Sequence, residues 1–120
     1  MEIKRFHIDD VELLDNLVAK IREGVLQINN MSYRTNVKAK MTKYDMHKTS
    51  EDFKMLSEMA MHYANSLTKT KFDLYTVDCW GAVYGKGDWT VEHNHVPHFW
   101  SWVYYVRASK GCSPIIFTEA

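Results

Sequence analysis

Phe72-Asp73-Leu74-Tyr75-Thr76-Val77-Asp78-Cys79-Trp80-Gly81-Ala82-Val83-Tyr84, closed by Gly85-Lys86-Gly87-Asp88, is where the texture of the chain changes. β-Branched and aromatic residues crowd the first part and a glycine-rich turn signal ends it, so the stretch reads as a strand running into a turn. Downstream, residues 89–95, 99–107 and 114–118 have the same texture and read as further strands, with Ser109-Lys110-Gly111 as a hairpin turn.

Upstream the spacing is helical. Val11, Leu14, Val18, Ile21, Val25 and Ile28 follow steps of three and four, and Leu13 and Leu17 widen the stripe, which predicts an amphipathic helix over residues 9–28. Asp9 with Glu12 three residues later has the form of a capping box and sets negative charge at the positive end of the helix. Asn29-Asn30 is the expected stop. Residues 31–48 are polar and basic, with Arg34, Lys38, Lys40 and Lys43, and read as an irregular connection with room for a short strand. Solvated lysines explain that charge better than an anion guide does. A second helix opens at Thr49 or Ser50, where Phe53, Leu56, Ala60, Tyr63 and Leu67 repeat the helical step. Met55, Met59 and Met61 read as core filler, and His62 lies off the stripe as an exposed helix residue.

Two helices followed by a run of strands predict an α+β fold in which the helices cover one face of a mainly antiparallel sheet. With 120 residues and 46% hydrophobic content, residues 1–120 form one domain with a modest core. Fifteen basic and fifteen acidic residues cancel, which argues against a general nucleic-acid partner held by charge. The first residues lack the apolar core of a signal peptide and no apolar run is long enough to span a bilayer, so a cytoplasmic protein is expected. Cys79 and Cys112 lack C-x-x-C spacing, and both are expected as reduced, mostly buried thiols.

Function is sought in Glu92-His93-Asn94-His95-Val96-Pro97-His98, which places three of the six histidines in six positions. Imidazole is the commonest ligand for transition metals, and alternate residues of a strand share a face, so His93 and His95 are spaced to grip one ion. His98 would complete a three-imidazole site, but it follows Pro97 and its direction depends on the turn there. Surface or hydrogen-bonded histidines are the competing reading. Asp88 is read as a turn residue, and Glu92 as pointing away from His93.

Several separate blocks then align with a known pattern. Residues 80–89, His93-Asn94-His95, Ser101-Trp102-Val103-Tyr104-Tyr105-Val106 and Gly111-Cys112-Ser113-Pro114-Ile115-Ile116-Phe117 resemble, in order and spacing, a phage and bacterial branch of the 2-oxoglutarate- and iron(II)-dependent dioxygenases. The resemblance covers roughly residues 72–118. It implies a double-stranded β-helix, the cupin-like jelly roll, with two N-terminal helices against its sheet. It also implies iron(II) held by a facial triad to which His93 and His95 contribute, with 2-oxoglutarate and molecular oxygen as co-substrates of a hydroxylation that yields succinate. The primary substrate stays open. Tyr84 and Tyr105 are the candidates to meet the keto acid, although packing in so aromatic a sheet explains both of them, and Tyr104, better.

Two departures from the pattern matter. Trp102 stands where the family has glycine, and the family's distal histidine and keto-acid anchor fall beyond the last matching block. The chain is therefore expected to be the N-terminal and first-sheet part of a longer dioxygenase domain, carrying only part of the active site. Its last strand would present an open edge through which copies could associate. Two rival readings remain: a local site of His93, His95 and His98 on a cupin-like barrel, and a non-catalytic metal-binding remnant of the fold.

Overall fold

A computed structural model describes residues 3–27, 37–93, 95 and 98–118. The elements run α1 (Val11–Leu26), β1 (Val37–Lys38), β2 (Lys40–Met41), α2 (Met46–Thr49), α3 (Glu51–Ser66), β3 (Ala82–Val83) and β4 (Trp89–Thr90). This is an α+β arrangement of helices and small antiparallel sheets. None of these helices is long and apolar enough to cross a membrane.

Both long helices begin on capped turns. Asp10, not Asp9, caps α1: its carboxylate accepts the Leu13 N–H at 3.0 Å, while Asp9 pairs with His7 at 2.9 Å. The buried stripe of Leu13, Leu17 and Gly24 sets that register. The expected stop at Asn29-Asn30 lies outside the described residues. Ser50 caps α3 by accepting from the Phe53 N–H, and Glu51 and Asp52 complement the helix dipole in the first turn. A four-residue helix, α2, precedes it inside the stretch expected to be irregular.

The core is small. Leu13, Leu17, Met46, Phe53, Leu56 and Cys79 form one cluster, with Ile8, Ile21, Met59, Tyr104 and Val106 packed on it. Each fully buried Leu or Phe contributes about 1.5–3 kcal/mol by leaving water. Among the described residues Met41 and Met46 are the buried methionines, whereas Met55, expected as core filler, is 48% exposed. Cys112 is also exposed, against expectation.

One pairing joins the helical half to the rest of the chain. Residues 37–41 run antiparallel to 82–90: Lys40 faces Val83 and Met41 faces Ala82, then Lys38 faces Trp89 and Val37 faces Thr90. Between these two ladders the second strand detours through residues 84–88. There Asp88 N–H donates to the Gly85 carbonyl at 3.1 Å, the Asp88 carboxylate accepts the Gly85 N–H at 2.8 Å, and Gly87 has φ +86°. A positive φ at the third residue is what a type II turn asks of glycine. The expected turn is present, but β3 and β4 do not pair with each other across it.

The tether continues past the strands. Thr42 N–H donates to the Gly81 carbonyl, Cys79 N–H to Tyr44 and Met46 N–H to Cys79, all within 3.0 Å. Beyond these contacts the expected strands do not form. Of residues 72–84 only Ala82–Val83 is a strand, of the described residues among 89–95 only Trp89–Thr90, and residues 99–107 and 114–118 contain none. The physical reason is a shortage of partners: strand propensity reports packing on a paired surface, and Val37–Lys38 and Lys40–Met41 are already paired with β4 and β3.

Candidate functional site

His93 and His95 follow β4 by three and five residues, on chain that leaves the ladder and becomes exposed. Their rings stand edge to face with centroids 4.9 Å apart. The His93 Nδ1 lies 2.8 Å from the Val91 carbonyl oxygen. A carbonyl can only accept, so Nδ1 is the donor, and in the neutral ring this tautomer leaves the Nε2 lone pair available. Metal-binding histidines are commonly oriented in this way, with a backbone carbonyl fixing the tautomer behind the ligating nitrogen.

His98 is turned back on the same segment. Its backbone N–H donates to the His95 carbonyl at 2.8 Å and its Nδ1 donates to the same oxygen at 3.1 Å. This resolves the direction that the sequence left open, although Pro97 itself lies outside the described residues. Partial burial, and then the charges of His93 and His98, hold the His95 pKa below its usual 6.5. A neutral imidazole is the form that binds a metal.

The rest of a ligand set is not assembled. Among the described residues no three His, Cys, Asp or Glu side chains are grouped so that they could hold a metal ion. The nearby carboxylates are engaged elsewhere: Glu92 accepts from the Thr118 hydroxyl at 2.7 Å and Asp88 holds the Gly85 turn. Tyr84 and Tyr105 are both 53% exposed, so the packing reading fails for them. Tyr84 shares a hydrogen bond with the Thr90 hydroxyl, and Tyr105 accepts the Ile115 N–H at 3.0 Å. Tyr104 packs on the core, as the aromatic-sheet reading expects. Trp80 stacks on Tyr44 at 4.4 Å yet stays 37% exposed.

Two cavities open on the helical side. One, of about 210 Å³, is lined by residues including Lys20, Gly24, Lys43 and Ser50; the other, of about 300 Å³, by residues including His47, Lys54, Glu58 and Tyr75. None of the three clustered histidines lines either one. His47 is a residue that the sequence did not single out. Its Nε2 donates to the Thr76 carbonyl at 3.0 Å and its Nδ1 is buried without a hydrogen-bond partner. No periodic signal marks it, because α2 is only one turn long.

Cys79 is chemically quiet. Burial pushes its thiol up to about 11, far from the range of a nucleophile at neutral pH. No family model matches the chain, and neither do any curated proteins or solved structures.

Proposed function

We propose that this chain carries the two-histidine part of an iron(II) site in a 2-oxoglutarate-dependent dioxygenase, on a segment belonging to a jelly-roll sheet. The observation that supports this best is the His93–His95 pair, with rings 4.9 Å apart and the His93 Nδ1–H committed to a backbone carbonyl. The ordered sequence blocks around the pair support the same reading.

The donor set fits the metal in part. His93 and His95 would hold iron(II), and two imidazoles leave positions for a carboxylate ligand, the keto acid and oxygen. Bound there, the metal would supply oxygen activation coupled to oxidation of 2-oxoglutarate. The chain's own contribution is orientation. The Val91 carbonyl holds the His93 ring in one tautomer, and partial burial together with the two flanking imidazoles keeps His95 unprotonated to lower pH than a free histidine. Tyr84 and Tyr105 would have to exchange their present hydrogen bonds to reach a keto acid.

The test is anaerobic equilibrium dialysis with iron(II), with and without 2-oxoglutarate. The keto acid should raise iron retention by adding ligands to the same ion, and succinate in its place should not. Iron retention that ignores 2-oxoglutarate would reduce the site to a plain metal-binding module and refute the dioxygenase reading.

A further inference from the structure

The cavity of about 300 Å³ lies where α2 and α3 meet residues 74–76. Its volume is at the lower end of the range for small-molecule sites, roughly 300–1,000 Å³. Charges of both signs share its wall with apolar surface. Lys48 and Lys54 bring ammonium groups, Glu58 brings a carboxylate, and Met61 and Leu74 bring half-buried apolar side chains.

The polar groups of this wall are not used up by one another. Lys54 and Glu58 stand one turn apart on α3, the spacing at which opposite charges on a helix pair, yet they form no ion pair. Among the described residues the side chains of Lys48, Lys54 and Glu58 make no hydrogen bond or ion pair at all. His47 lines the same cavity. Its Nε2 donates to the Thr76 carbonyl at 3.0 Å, so in the neutral ring Nδ1 holds a lone pair, and that nitrogen is buried with no partner. Buried acceptors are ordinarily satisfied, so this one points to a donor that the chain itself does not supply.

We infer that this cavity binds a free α-amino acid with an apolar side chain. The two acceptors, the Glu58 carboxylate and His47 Nδ1, suit an ammonium group. The two lysines suit a carboxylate, whose two oxygens can take a donor each. Met61 and Leu74 then meet the ligand's side chain. A simple anion would face Glu58 and a simple cation would face two lysines, so like-charge contact selects a ligand that carries both signs. The inference is independent of any metal at His93 and His95, neither of which lines this cavity.

Titration calorimetry of the full chain with leucine, in the presence of a chelator, tests it. The expected result is one leucine per chain with a Kd of about 1 mM or tighter. Isocaproate, which lacks the ammonium, and isoamylamine, which lacks the carboxylate, should each bind at least tenfold more weakly. Glu58→Gln should weaken leucine at least tenfold and leave isocaproate no weaker. Lys48→Met combined with Lys54→Met should weaken leucine likewise and leave isoamylamine no weaker. All three positions are exposed, so the far-ultraviolet circular dichroism spectrum should not change in either variant. Leucine should also shift the ring-nitrogen NMR signals of His47 and not those of His62, an exposed residue of α3 that does not line the cavity. No leucine binding at about 10 mM, isocaproate or isoamylamine binding as tightly as leucine, glutamate binding more tightly than leucine, or full affinity in Glu58→Gln would each overturn the assignment.

Discussion

Gly24→Ala sets two opposing effects against each other in the contact that joins α1 to the tether. In an exposed helix the change would stabilise by about 1 kcal/mol, because alanine is the better helix former. Gly24, however, is buried, and a Cβ there would stand 2.7 Å from the Thr42 methyl and 3.2 Å from its Cβ. Thr42 is 1% exposed and cannot simply rotate away. Its hydroxyl donates to the Lys43 carbonyl at 2.8 Å and accepts the Gly81 N–H at 3.0 Å, so turning χ1 breaks both bonds. Overpacking costs about 1–3 kcal/mol and a lost hydrogen bond about 0.5–1.5 kcal/mol, which together exceed the propensity gain. We expect a net loss of about 1–3 kcal/mol, read as a lower urea midpoint by circular dichroism with an unchanged m-value. Thr42→Ser removes the methyl and keeps the hydroxyl, so the double variant should recover most of the loss. A Gly24→Ala chain as stable as the parent, or more stable, would refute the close packing of α1 on Thr42.

Three further outcomes follow from the same structure. Leu17→Ala, at a side chain with no exposure, should cost about 2–5 kcal/mol in urea unfolding, and a loss below 1 kcal/mol would remove Leu17 from the core. Cys112 should react promptly with a thiol reagent in the native chain, while Cys79 should react only after denaturation; the folded thiol of Cys79 ionises near 11 against 9.0 when free, so stability should also fall as pH rises between those values. His95 should titrate below 6.5 by NMR, and His93→Ala or His98→Ala should raise its pKa by removing a neighbouring positive charge; because its folded pKa is lowered, its contribution to stability should be lost as pH falls below 6.5.

The helices were legible in the sequence because their information is local. A 3.6-residue period in Leu13, Leu17 and Ile21 and a serine ahead of Phe53 each act within a few residues. The Gly85–Asp88 turn was legible for the same reason, since its two hydrogen bonds close within four residues. The pairing of residues 37–41 with 82–90 was not, because its partners lie about forty to fifty positions apart and neither segment states its register. Strand-like composition from Phe99 to Phe117 therefore overstated the sheet. In the candidate site, the spacing of His93 and His95 was read as one strand face; the two rings do lie 4.9 Å apart, but on chain beyond β4 that is not a strand. The bond from His98 to the His95 carbonyl depends on a local turn whose geometry the letters leave open.

If His93 and His95 hold one metal ion together, as proposed, anaerobic titration calorimetry with iron(II) should show one ion per chain, affinity reduced at least tenfold by His93→Ala and equally by His95→Ala, and no change on His62→Ala, an exposed histidine on α3. Absence of binding by the parent chain, or binding that survives both ring deletions, would contradict it.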